Sequence, residues 1–182
     1  MFLRPHPLLF GFLRRLPPLP LGQHSEQAHI HAELAFLHLR PGGVHQEPPV
    51  RFSTPGTVRP LCIVRPTNAS HAQATVLCGR RHGVRVRVRS GGHDYEGLSY
   101  RSVQPETFAL VDLANLRSVR VDRARATAWV DSGATVGELY HAVAKTSGDR
   151  LAFPAGLCPT MGGHFSGGGF GLLLRKYGLA VD

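Results

Sequence analysis

The 182-residue sequence lacks any run approaching the ~18 consecutive apolar residues of a membrane span, which excludes a spanning helix on this reading. Cysteine is sparse. Cys62, Cys78 and Cys158 form no Cys-x-x-Cys pair and are too few for a dense disulfide framework. No internal repeat is visible, so solenoids and propellers are set aside. Acidic residues are few, 12 against 21 basic, giving a formal charge of +9 and a pI near 10.5. That balance favours anionic partners without naming one. Lysine is scarcer still, since of the 21 basic residues only Lys145 and Lys176 are not arginine. The arginine excess fits planar recognition of phosphate or carboxylate, and it equally fits a GC-rich genome. What is present, 42% hydrophobic and 18% charged residues, excludes a wholly disordered chain and allows one domain, or a domain plus a tail.

Residues 1–50 differ from the rest. They hold six of the 11 histidines and much of the proline, with no sustained apolar period, and read as a poorly structured segment. The opening MFLRPHPLLFGFLRRLPPLPLG has the positive start and leucines of a secretory leader. Arg14, Arg15 and several prolines interrupt it, and no small-x-small cleavage site follows. Residues 27–39 have the makings of a short helix. His29, His31 and His38 have no neighbouring cysteine or carboxylate pair, so they read as a solvated histidine-rich stretch and no metal is assigned.

From Pro60 the punctuation is regular. Residues 61–64 predict a strand, and Pro66-Thr67-Asn68 a turn that caps a helix carrying Ala69, Ala72, Val76 and Leu77 at helical spacing. Asn68-Ala69-Ser70 is also a glycosylation sequon if the chain is secreted, and the cap is the preferred reading. Arg80, Arg81 and His82 suit the negative end of that helix before a stop at Gly83. The alternation Val84-Arg85-Val86-Arg87-Val88-Arg89 then predicts a strand with valines on one face and arginines on the other. Such a strand–helix–strand unit implies a parallel pair with ligands at the carboxyl ends of the strands. Strands over 108–113, 118–121 and 126–130 read as a β meander. Thr135-Val136-Gly137-Glu138 is a capping box opening a helix that runs to Ser147-Gly148 through Leu139, Val143 and Ala144. The class is mixed α and β (α+β), a βαβ unit followed by a meander and a helix.

Two glycine-rich loops carry the chemistry. In the first, Arg89-Ser90-Gly91-Gly92-His93-Asp94-Tyr95-Glu96-Gly97-Leu98-Ser99-Tyr100, paired glycines let backbone amides approach an anion, with Ser90 and Ser99 as further donors to a pyrophosphate. It is neither a Walker A loop nor the GxGxxG fingerprint, and a tight surface turn is the plain alternative. In the second, seven glycines fall within residues 156–171, interleaved with Cys158, Phe165 and Phe170. Glycine in regular structure costs up to about 1 kcal/mol relative to alanine, for which close packing against a flat ligand compensates. A flexible linker is the plain alternative there, against which the aromatics and the thiol argue.

SGGHDYEGLSY together with GLCPTMGGHFSGGGFGLLLRKYGLAVD resembles the plant berberine bridge enzyme-like flavoproteins, whose flavin domain is of the PCMH, or vanillyl-alcohol-oxidase, type. The likeness runs over residues 51–182 as part of such a domain. It implies an FAD cofactor bonded through its 8α carbon to His93 and through C6 to Cys158. It implies that Arg89, Ser90, Gly91, Gly92, Asp94 and Ser99 lie along the FAD pyrophosphate. Gly156, Gly162, Gly163, His164, Gly167 and Gly168 would lie near the isoalloxazine or ribityl region, and Tyr95 would face the active site. The implied activity is oxidation of a small alcohol, carbohydrate or alkaloid-like substrate by hydride transfer to flavin, with dioxygen as acceptor, in a secreted or cell-wall protein. Histidine and thiolate are nucleophiles suited to an electron-poor flavin ring.

The sequence also departs from that family. Its usual CPTVGxGGH is two residues longer than Cys158–His164 here, a difference of up to about 7 Å in extended reach. The family pairs the counterpart of Cys78 with an N-terminal cysteine. Residues 1–50 contain none, leaving Cys62 as a candidate that spacing does not establish. The family's substrate domain and its usual catalytic base have no counterpart in these residues, so a catalytically silent flavin-binding fragment stands as the alternative function. The Arg80–Arg89 cluster alternates on a strand without the aromatic pattern of a single-strand binder, and no nucleic-acid partner is assigned. A Cys158–His164 hydrolytic pair lacks an orienting acid nearby.

Overall fold

The computed structural model of the protein describes residues 2–3, 56–157 and 159–182. His29, His31, His38 and Cys158, and with them nearly all of the 1–50 segment, lie outside the described residues. The chain forms two compact units, Leu8–Asp112 and Met1–Pro7 with Leu113–Asp182. In chain order the elements are β1 (Phe2–Leu3), β2 (Cys62–Val64), α1 (Ala69–Arg81), β3 (Arg85–Arg89), β4 (Phe108–Asp112), a 3-10 turn at Leu113–Asn115, β5 (Val119–Asp122), β6 (Thr127–Val130), α2 (Val136–Ser147), α3 (Met161–Ser166) and α4 (Leu174–Tyr177). No helix among the described residues is long and apolar enough to cross a membrane.

In the unit ending at Asp112, the β2–α1–β3 motif forms with parallel strands, but those strands are not neighbours. The order is β2-β4-β3, with Cys62 opposite Ala109 on one side of β4 and Arg85 opposite Phe108 on the other. The expected meander therefore reduces to a β5–β6 hairpin. The physical reason is the composition of β4. Phe108, Ala109, Leu110, Val111 and Asp112 are all buried, the pattern of a central parallel strand covered on both faces.

Helix α1 starts at its predicted cap, with the Asn68 side chain accepting from the His71 N–H at 3.1 Å. The face it buries differs from the sequence expectation. Thr75, Cys78 and Gly79 are buried, whereas Val76 and Leu77 are 51% and 61% exposed. Gly79 decides this, because a Cβ there would lie 2.5 Å from Val86 Cγ2 and 2.9 Å from the Val84 carbonyl oxygen. Absence of a side chain, rather than apolar bulk, sets the contact. The alternation in β3 holds, and the arginine face is the more covered at its end, with the side chains of Arg87 and Arg89 14% and 11% exposed, Val88 45% exposed, and Val86 against Gly79 of α1.

In the other unit, β5 and β6 pair antiparallel from Val119↔Val130 to Asp122↔Thr127, and β1 lies parallel on β6. The capping box forms as expected. Thr135 Oγ1 accepts from the Glu138 N–H at 3.1 Å, and a Glu138 carboxylate oxygen accepts from the Thr135 N–H at 2.7 Å. The helix ends at Gly148, whose φ of 61° is the left-handed stop glycine adopts without strain. Leu139 and Val143 of α2 pack with Ala128, Phe153 and Met161 in the core, and Phe153 meets the Phe165 ring edge-on at 6.1 Å.

Thr135→Ala removes the cap and leaves the Glu138 N–H unsatisfied. We expect a loss of about 1 kcal/mol in denaturant unfolding, and recovery of most of it in Thr135→Asp. A loss below about 0.3 kcal/mol in the alanine variant would show that the box contributes nothing to stability.

Candidate cofactor-binding site

The first loop springs from the carboxyl ends of parallel strands, and three charged side chains fix its root. Asp112 Oδ2 accepts from Arg65 Nε at 3.2 Å and from Arg89 Nη2 at 2.9 Å, with the Asp112 side chain 5% exposed. Two residues back on the same face, the Arg87 guanidinium bonds the Glu106 carboxylate and donates to the Leu98 carbonyl at 2.7 Å, tying the far end of the loop to the sheet. Arg85 pairs with the same Glu106 at 3.2 Å, and Ser102 donates to it at 2.7 Å. The Arg87 and Ser102 bonds hold the Glu106 carboxyl below the usual carboxylate range. The arginine stripe is thus an ion-paired face. Its partners Asp112 and Glu106, and the third cation Arg65, are the residues the sequence reading missed. The available signal was one acid ending the otherwise apolar run Phe-Ala-Leu-Val.

Within the loop, Asp94 and Ser99 come together. The Asp94 carboxylate accepts from the Leu98 N–H at 2.7 Å, the Ser99 N–H at 3.1 Å and the Ser99 hydroxyl at 2.5 Å. Partial burial works to raise its pKa, and the bonds from Ser99, Leu98 and Gly97 outweigh it, so the carboxyl sits below its ordinary value. Asp94 is therefore the internal brace of the turn. Gly92 has φ +67°, and a Cβ there would stand 3.3 Å from Arg89 Cδ. Ser90 and Gly91 are half-buried, His93 is exposed, and Tyr95 is 87% exposed.

The second loop packs on its own backbone. The Gly156 N–H donates to His164 Nε2 at 3.1 Å, and the Tyr140 hydroxyl donates to the carbonyls of Ala155 and Gly156 at 2.7 and 3.0 Å. A Cβ on Gly156 would fall 2.1 Å from the Phe170 carbonyl oxygen, so this glycine is required by the chain itself. Gly163, exposed on α3, differs, since a Cβ there would meet only Thr160 Oγ1, at 3.9 Å. Gly162 donates its N–H to the Ser132 carbonyl at 3.0 Å, and Gly167 donates to Gly163 at 3.1 Å. Gly168 has φ +94°. Cys158 lies outside the described residues, and no group of three metal-ligating side chains occurs among the described ones.

Residues 60–182 match the family described as FAD binding domain. The chain belongs to that family. Its relatives include berberine bridge enzyme-like Cyn d 4 of Cynodon dactylon, 64% identical over 135 residues, 73% of this chain and 26% of the relative. Berberine bridge enzyme-like 11 of Arabidopsis thaliana is 54% identical over 137 residues, 74% of this chain and 26% of the relative. Among solved structures, the grass pollen allergen Phl p 4, described as having glucose dehydrogenase activity, aligns with a TM-score of 0.69 and 65% identity over 71% of this chain and 27% of that one. A berberine bridge enzyme-like protein of Arabidopsis thaliana aligns with a TM-score of 0.72 and 42% identity, over 87% of this chain and 33% of that one. The likeness to the berberine bridge enzyme-like flavoproteins holds, as does the mixed α and β class of a PCMH-type FAD-binding domain, of which this chain carries part. The chain spans about a quarter of the length of the curated relatives it matches.

Burial lowers the His164 pKa below its ordinary value, and its Nε2 serves as an acceptor only while unprotonated. The neutral form is favoured in the fold, so its contribution is complete above the unfolded value of about 6.5 and lost as pH falls below it. Protection of the Gly156 amide against hydrogen exchange, corrected for intrinsic rate, is expected to fall between pH 7 and pH 5 while that of Ala180, bonded to Gly169, holds. Equal pH dependence at the two amides would mean that the Gly156–His164 bond is not made in solution.

Proposed function

We propose that this FAD-binding chain forms the flavin-holding part of an oxidoreductase that oxidises a small alcohol, carbohydrate or alkaloid-like substrate by hydride transfer to flavin, with dioxygen as electron acceptor. The observation that carries the reading is the match of residues 60–182 to the FAD binding domain family. The breadth of the substrate class follows the relatives, one a pollen protein described with glucose dehydrogenase activity and others described as cannabidiolic acid synthase-like.

The local fit rests on the two kinds of glycine. Gly156 serves the chain's own packing, whereas Gly163 leaves open space where a side chain would stand, at a helical position that alanine would favour by up to about 1 kcal/mol. A flat ring lying on α3 accounts for that choice. In this reading Gly162, Gly163, Gly167, Gly168, Gly156 and His164 border the isoalloxazine or ribityl part. Arg89, Ser90, Gly91, Gly92 and Ser99 take the pyrophosphate, with Asp94 shaping the turn that presents their amides. Arg65 and Arg89 bring two guanidiniums to the loop's root, cations of the kind that suit a diphosphate. His93 is the proposed attachment to the 8α carbon, Cys158 the proposed attachment to C6, and Tyr95 the active-site residue. FAD supplies the hydride acceptor when bound, and the chain's residues hold and orient it. Secretion or cell-wall placement is proposed on the same resemblance.

The test is the absorption spectrum of the chain purified with FAD, before and after acid precipitation, with mass spectrometry of any yellow peptide. Flavin mass on His93 and Cys158 peptides is expected, and flavin on His93 alone would assign the loss at Cys158 to the shortened loop. Flavin that no sugar, alcohol or alkaloid reduces would favour the catalytically silent alternative. A folded chain that takes up no FAD would overturn the reading. Gly163→Ala provides a separate check, with FAD affinity expected to fall at least about tenfold while the apoprotein is as stable or up to about 1 kcal/mol more stable. Unchanged affinity would remove Gly163 from the site.

A further inference from the structure

Two thiols outside the cofactor loops share one small core. Cys62 stands on β2 in alternation with buried Val64, so both project to the same face of the sheet. Cys78 is buried on the inner face of α1, beside Gly79, whose own close contacts are with Val84 and Val86 on the β3 side. Val64 and Cys78 form the centre of a cluster against which Leu61, Cys62 and Val84 pack. We propose that Cys62 and Cys78 close into a disulfide that staples α1 to β2, a bond within the βα unit that needs no cysteine from residues 1–50.

The two thiols differ in the way a stepwise oxidation requires. Cys62 is half-buried and reachable, and Cys78, at 7% exposure, is sealed from bulky reagents. With a low-molecular-weight disulfide as oxidant, the Cys62 thiolate attacks one sulfur and releases one thiol, giving a mixed disulfide. The Cys78 thiolate then attacks the Cys62 sulfur and releases the second thiol. The two cysteines lose two electrons and two protons, and the oxidant is reduced to two thiols. Burial, together with the neighbouring Cys78, pushes the Cys62 thiol up to about 11, so the thiolate fraction at neutral pH is small and the reaction is slow. Once closed, the ring restrains the unfolded chain over the whole of α1's first three turns and their cap.

The sequence supplies a clean readout. Arg59 and Arg65 each precede proline, so trypsin leaves Cys62 and Cys78 on one peptide that lacks Cys158. The full 182-residue chain is equilibrated with reduced and oxidised glutathione at mildly alkaline pH, alkylated under denaturing conditions, and digested without reduction. Expected is that peptide about 2 Da light, carrying no alkyl group and regaining two after reduction. Reduction is expected to lower the thermal midpoint of the parent by about 5 °C or more, with no such drop in Cys62→Ser or in Cys78→Ser. Two alkylated cysteines, a retained glutathione on Cys62, or a link from either cysteine to Cys158 or to a second chain would each overturn the proposal. The peptide result on the unsubstituted chain decides the matter even if Cys78→Ser fails to fold.

Discussion

A single oxygen atom, Asp112 Oδ2, accepts from Arg65 and Arg89, and the carboxyl ends of three parallel strands meet there. Arg65 follows β2, Arg89 closes β3 and Asp112 closes β4. A buried carboxylate with one cation roughly breaks even against its desolvation, and a second cation with good geometry tips the balance. The same arrangement makes the loss of the carboxylate severe, because two guanidiniums would be left facing each other. The first glycine-rich loop begins at Arg89 itself, so its root is anchored by this clamp. Arg87, reaching from the sheet to the Leu98 carbonyl, fixes the opposite end, and Asp94 braces the middle. The loop is held at three points by polar bonds, with Tyr100 buried at its end.

The second loop is held by the opposite means. Its backbone passes so close to itself that Gly156 and Gly171 leave no room for a Cβ, and the Tyr140 hydroxyl and His164 ring fasten the crossing. Rigidity there comes from the absence of side chains. Glycines of this kind are required by the fold, whereas a Cβ at Gly163 would meet only Thr160 Oγ1, at 3.9 Å, so the two obey different rules of substitution.

Local features were legible in the sequence. The Asn68 cap, the Thr135–Glu138 box, the stop at Gly148 and the placing of both loops after strands or helices depend on residues three or four apart, and all formed. Features set by distant partners were not. The arginines of β3 turn inward because Glu106 and Asp112 lie across the ladder, 19 and 23 residues away from Arg87 and Arg89. Alternation states that two faces differ but not which one finds its counterions. The buried face of α1 was misjudged because periodicity weighs apolar bulk, and the deciding residue, Gly79, has none. The position of β4 between β2 and β3 follows from its burial on both faces, which its composition hinted at and its place in the chain concealed.

That strand order carries a consequence for how the unit comes into being. During synthesis β2, α1 and β3 emerge first, yet β2 and β3 share no ladder and have nothing to pair with until residues 90–107 have passed and β4 arrives. The sheet is therefore completed only when its last strand arrives, a non-local step on which both ladders depend. Until then both strands present open edges, the state in which a nascent chain is most exposed to wrong partners.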